Sequence, residues 1–145
     1  MYETVNILHS YWAYLVLLIL VLATLNALAK FFGNKEYHDK DLRISLFTFI
    51  VSHIQLLLGI VFFFVSDYLS IISETGMGEV MKNADLRNKI IEHPITMLIA
   101  IILITIGFSK HKKKETSKAK FKTLAIFYTL ALILVLAKIP WNTWL

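Results

Sequence analysis

Four uncharged runs recur along the chain, separated by charged connections. The first stretches from Thr4 to Ala29 with the core YWAYLVLLILVLATLNALA, and the second from Ile44 to Ser66. The third runs from His93 to Ser109, extended on its near side by Ile90 and Ile91. The fourth follows Lys122 and closes on Lys138-Ile139-Pro140-Trp141. None alternates with the period of two that a barrel strand requires. Each, with its flanks, reaches the roughly 20 residues that a helix needs to cross about 30 Å of hydrocarbon. The pattern predicts an all-α integral-membrane domain, an up-down four-helix bundle, with spans at about 6–30, 43–66, 90–109 and 122–140 of the 145 residues. Short connections after the first and third spans make sequential helices antiparallel neighbours. The longest connection, 67–89, carries apolar Leu69, Ile71, Ile72, Val80 and Met81. A short interfacial helix is expected there, broken by Gly76 and Gly78. Ala27-Leu28-Ala29 has the form of a signal-peptidase site, but no positive charge precedes the run, so the first helix is expected to be retained.

Composition excludes the soluble alternative. Hydrophobic residues make up 57% and charged residues 17%, against about 45–50% and about 25% in soluble domains. A globule of this size could not bury so much apolar surface. The absence of cysteine removes disulfides, thiolate-held zinc, iron–sulfur clusters and c-type haem. Any cofactor must be held through His, Met, Tyr, carboxylates or backbone.

The net charge of +5 gains meaning from its placement. Eleven of the fifteen Lys and Arg residues flank the first and third connections: Lys30, Lys35, Lys40 and Arg43, then Lys110, Lys112, Lys113, Lys114, Lys118, Lys120 and Lys122. Lys82, Arg87, Lys89 and Lys138 lie toward the other side. The positive-inside rule then places both termini outward, and a bacterial inner membrane is the expected setting. The lysine run reads as a topology signal against anionic lipid, not a nucleic-acid surface, because no aromatic residues interleave it.

Small residues mark helix contacts in lipid. The second span has Ser45, Ser52, Gly59 and Ser66 at a spacing of seven, and the third has Thr96, Ala100 and Gly107 on the stripe of His93. The seam on the second span also suits docking to a larger membrane complex, so a structural or assembly subunit is the alternative reading.

Of five histidines, His38 and His111 sit among lysines and are expected to be solvated. His9, His53 and His93 fall within spans, where ionisable groups are costly and face a partner, a cofactor or a pathway. Counting from Lys30, Arg43 and Lys110 at 1.5 Å per residue, His9 and His93 differ by about 6 Å in depth. His53 lies roughly 10 Å deeper than His93. The first and third helices are diagonal and parallel in an up-down bundle. His9 and His93 could then supply two axial imidazoles to a haem iron, with His53 as the alternative ligand or a nearby supporting group. Pro94 is expected to bend the third helix locally. A bare metal site or proton path built from His9, His53, His93 and Glu92 is a further possibility. Its ligands, however, spread over roughly 16 Å in depth. Tyr11, Trp12, Trp141 and Trp144 read as an interfacial belt, and Lys138 as a cation that snorkels outward or meets a haem propionate. No nucleophile–base arrangement, phosphate loop or catalytic carboxylate pair is visible.

His9-Ser10 with Trp12, Ser52-His53-Ile54-Gln55-Leu56, Glu92-His93 with Met97, Ile104-Thr105-Ile106-Gly107 and Ile139-Pro140-Trp141 together resemble a small bacterial family of four-helix membrane proteins commonly labelled cytochrome b. The resemblance covers nearly the whole chain. It implies bound haem b, electron exchange with quinone or an outer-face redox partner, and Trp12 and Lys138 beside the cofactor. An Arg next to the first tryptophan, common in that pattern, is absent here, since Tyr11 precedes Trp12 and Ala13 follows it. A propionate partner would then fall to Lys138 or Arg87.

Overall fold

A computed structural model describes residues 1–144. The chain forms α1 (Tyr2–Phe32), α2 (Asp39–Val65), three short helices α3 (Tyr68–Thr75), α4 (Met77–Lys82) and α5 (Ala84–Arg87), a π-helical turn at Asn88–Glu92, then α6 (His93–Lys113), α7 (Ser117–Lys138) and α8 (Trp141–Trp144). Segment Ala84–Lys113 runs as one continuous helical stretch, and with α1, α2 and α7 it makes four helices long and apolar enough to cross a membrane.

The helices outrun the expected spans at most ends. Charge marks where hydrocarbon stops, whereas a helix continues until its backbone finds another partner. α1 passes Lys30 and stops where the Gly33 N–H bonds back to Ala29 and Asn34 takes a left-handed φ of 52°, a conformation that asparagine tolerates. α7 begins at Ser117, within the lysine run, because the Thr116 hydroxyl accepts from the Ala119 N–H at 3.1 Å, satisfying one orphan donor of the first turn. The long connection is three short helices rather than one. Gly76, at φ 91°, separates α3 from α4, but Gly78 lies inside α4 and breaks nothing.

The four spans form a ring. α1 packs on α2 and α7, and α6 packs on the same two, leaving α1 and α6 across one diagonal. Both termini therefore lie at one end, and the lysine-rich connections at the other. The closed core sits in the lysine-rich half: Leu20, Ala23 and Ala27 of α1 meet Ala100 and Ile104 of α6 and Leu124, Ala125, Tyr128 and Ala131 of α7. Small side chains let these backbones approach, which is how dispersion drives helix association where lipid is as apolar as the core. Gly107 shows how close: a Cβ there would stand 2.5 Å from Phe127 Cβ. Tyr128, fully buried, donates its hydroxyl to the Ser45 carbonyl at 2.9 Å.

The opposite half is packed differently. Among the described residues, none in 6–19 of α1, 53–65 of α2, 93–99 of α6 or 132–138 of α7 is buried. Outward-facing Leu57 and Phe64 of α2, Ile95 of α6 and Ile133 of α7 are exposed for lipid to cover. Burial resumes only at the mouth of this half, where Val5, Val80 and Ile90 are enclosed; between that mouth and the closed core the bundle is looser.

Candidate functional site: a histidine pair in the loosely packed half

Helix periodicity and antiparallel threading bring the candidate ligands of α1 and α6 together. The His9 and His93 rings face each other across the diagonal, with centroids 6.3 Å apart and planes at 89°. Each is only partly exposed. His93 Nδ1 lies 2.9 Å from the main-chain carbonyl of Lys138. A carbonyl only accepts, so Nδ1 carries the proton and the Nε2 lone pair is left for another partner. The turn before His93 explains its setting. Its N–H reaches back five residues to Asn88, and Pro94 lacks the N–H that would continue regular pairing. The expected local irregularity is thus a π-helical turn at Asn88–Glu92, a feature frequent at functional sites.

His9 rests against α2. Its ring stacks on Phe62 at 5.5 Å and 15°, and its carbonyl accepts from Gln55 Nε2 at 2.8 Å. Gly59 faces its edge: a Cβ there would sit 3.4 Å from His9 Cε1. His9 Nδ1 is buried and has no hydrogen-bond partner among the described residues. An orphaned buried nitrogen is costly.

Glu92, beside His93, joins two cations. Lys138 Nζ lies 3.3 Å from one carboxylate oxygen and Arg87 Nε 3.1 Å from the other. Arg87 also donates to the Met81 carbonyl at 2.8 Å, so it ties the short helices to the bundle mouth. Lys138 therefore presents its ammonium to Glu92 and its carbonyl to His93. Glu92 is half-buried in this network rather than simply solvated.

His53 belongs elsewhere. Its Nδ1 donates to the Phe49 carbonyl at 2.7 Å, and Nε2 meets the Thr105 hydroxyl at 3.2 Å. Both ring nitrogens are engaged, and the ring stitches α2 to α6. Among the described residues, no group of three or more His, Asp or Glu side chains is gathered to hold a metal ion, so His9, His53, His93 and Glu92 do not form one bare metal site.

Several expectations change. Trp12 turns inward: its indole N–H donates to the Val51 carbonyl at 2.9 Å and locks α1 to α2. Trp144 does lie at the terminal end, stacked on Tyr14 at 4.4 Å and bonded to the Ser10 carbonyl at 3.2 Å. Three positions of the α2 seam pack internally, with Ser45 and Ser52 buried and Gly59 against His9. His111 is not solvated. It is fully buried, bonds the Phe108 carbonyl through Nδ1 and receives the Tyr37 hydroxyl on Nε2 at 2.8 Å. His38 does stand at the surface, at the start of α2.

A second polar cluster, at the lysine-rich end, escaped the sequence reading. Asp41, 1% exposed, receives Lys30 and Asn26 from α1 and the His38 main-chain N–H. Its signal was present: Asn26 and Lys30 stand four apart on one face and the next helix opens on an acid. The Tyr37 main-chain N–H meets Ser117 at 2.9 Å, so this cluster clamps the two connections together. Burial pushes the Tyr37 hydroxyl up to about 12.

Comparison of the chain with known protein families, with curated proteins and with solved structures finds no match.

Proposed function

We propose that the bundle binds haem b between His9 and His93 and carries electrons within a bacterial inner membrane, with both termini on the outer side. The facing of His9 and His93 in the loosely packed half of the bundle carries this reading. The ring centroids stand 6.3 Å apart, a separation that would leave room for one ion held by a nitrogen of each ring at about 2 Å. Both side chains suit the role. The His93 Nδ1–H bond to the Lys138 carbonyl fixes the ring orientation and raises the basicity of Nε2, as outer partners of metal-bound histidines do. His9 rests its Nδ1 edge against Gly59 of α2, so Nε2 is the nitrogen that would be offered to a ligand. The looser packing between helices on this side supports insertion of a flat macrocycle.

Held by His9 and His93, a haem would supply a one-electron couple and, with no ligand position left open, would favour electron transfer over oxygen chemistry. Around it, the chain's own groups set the field. Glu92 neutralises Lys138 and Arg87 in the present arrangement; an incoming propionate would compete with Glu92 for those cations. Trp12 holds α1 to α2 one turn below His9 and so maintains the height of the ring. Quinone in the bilayer and a redox protein or further membrane subunit at the terminal end are the proposed partners.

The test is spectroscopic. Protein purified from haem-replete cells should show reduced-minus-oxidised Soret and alpha bands, and His93→Ala and His9→Ala should each lose the bis-imidazole spectrum. Protein without any such bands under full haem supply overturns the proposal.

A further inference from the structure

The lipid-facing side of α2 carries a shallow groove of about 450 Å³ at the lysine-rich end, lined by Arg43, Ile44, Leu46, Phe47 and Ile50. Lys40, Arg43, Phe47 and Ile50 follow one another at intervals of three and four residues, so they fall on a single stripe of the helix. The stripe changes chemistry along its length. Lys40 and Arg43 stand at the charged end, while Leu46, Phe47 and Ile50, all exposed, lead into the apolar span. Among the described residues, neither Lys40 nor Arg43 has a carboxylate within ion-pairing distance. A second hollow of about 390 Å³ is lined by Lys40, one turn from Arg43, together with Lys30, Lys35 and His38. Its one acid, Glu36, lies 4.0 Å from the His38 ring and within ion-pairing distance of no lysine or arginine among the described residues.

We propose that this groove binds an anionic phospholipid, its phosphate on Arg43 and Lys40 and one acyl chain along Leu46, Phe47 and Ile50. The guanidinium offers a planar fork that matches two phosphate oxygens, and Lys40 adds a point charge one turn away. A water-soluble phosphate would use only the cations. A lipid uses both halves of the stripe, and the apolar half lies where acyl chains already are. The site is separate from the histidine pair, at the other end of the bundle, and stands whether or not haem is bound.

Phe47→Trp places a fluorophore in the groove, far along the chain from Trp12, Trp141 and Trp144. The variant is reconstituted in phosphatidylcholine vesicles containing rising fractions of phosphatidylglycerol with brominated acyl chains, or of brominated phosphatidylcholine. Quenching by the anionic lipid should saturate at much the lower mole fraction. Adding Lys40→Gln and Arg43→Gln should weaken this preference about thirty-fold, the product of two surface cations on an anionic lipid. Lys113→Gln with Lys114→Gln, two exposed lysines of the other connection, should leave it within about two-fold. Equal quenching by both lipids, or equal loss in both double variants, overturns the proposal, as does displacement of the brominated anionic lipid by millimolar inorganic phosphate. Should Phe47→Trp disturb folding, native mass spectrometry of the wild-type chain reads the same preference as retained phosphatidylglycerol adducts, and their absence is equally decisive.

Discussion

His93 of α6 is anchored to the last residue of α7: its Nδ1 donates to the Lys138 carbonyl across 2.9 Å. The acceptor is main chain, so the identity of residue 138 does not enter the bond. His93→Ala should therefore destabilise the bundle by about 1–2 kcal/mol through the lost hydrogen bond. Lys138→Gln removes only the partly exposed pairing with Glu92 and should cost under about 1 kcal/mol. Reversible unfolding in mixed detergent micelles separates the two.

Gly107 and Gly59 should respond oppositely to the same change. Gly107→Ala drives a methyl into Phe127, at 2.5 Å from its Cβ, and should cost about 1–3 kcal/mol by forcing α6 from α7. Gly59→Ala meets His9 at an ordinary 3.4 Å and should leave stability nearly unchanged. If both variants melt alike, α6 and α7 are not in the close contact described.

Asp41 receives a lysine, an asparagine and a main-chain N–H in a fully buried position. Asp41→Ala strands Lys30 and should cost about 3–5 kcal/mol, as when one partner of a buried pair is removed. Asp39→Ala, in the same turn but at the surface, should cost under about 0.5 kcal/mol. The comparison is made by thermal unfolding in detergent.

His38 and His111 should part company. His111→Ala empties a buried site and leaves the Tyr37 hydroxyl without its acceptor, costing about 2–4 kcal/mol. His38→Ala keeps its main-chain N–H bond to Asp41 and should lose less than about 1 kcal/mol. Neither should change a haem spectrum in the molecules that remain folded.

Alkaline stability should report Tyr37. Burial lifts its hydroxyl from 10.0 to about 12, so the unfolded chain gives up that proton first. The contribution is complete below pH 10 and lost as pH rises from there toward 12. Tyr68, raised likewise to about 12 by burial, adds to the same window. Tyr37→Phe should flatten the fall in melting temperature over that range relative to wild type.

Much of this was written in the order of residues, because bilayer thickness leaves few solutions. Four uncharged runs imply four helices, and two short connections imply which helices are diagonal. Hence the meeting of His9 and His93 follows from counting residues inward from Lys30 and Lys110. What escaped depends on local threading. His111 reads as solvated because lysines surround it, yet Tyr37 from another connection covers it. Trp12 carries the type expected at an interface, and only the register of α1 on α2 brings its indole to the Val51 carbonyl. The π-helical turn before His93 is foreshadowed by Pro94 without being specified by it, since a freed carbonyl can be satisfied in several ways.

The histidine pair also imposes an order on biosynthesis. His9 emerges on the first span, His93 on the third, and the carbonyl that orients His93 only at the close of the fourth. No earlier stage of insertion can hold both rings in place. The orientation of His93 is thus completed only with the fourth span, and the first three spans alone would lack the orienting bond even with both histidines present.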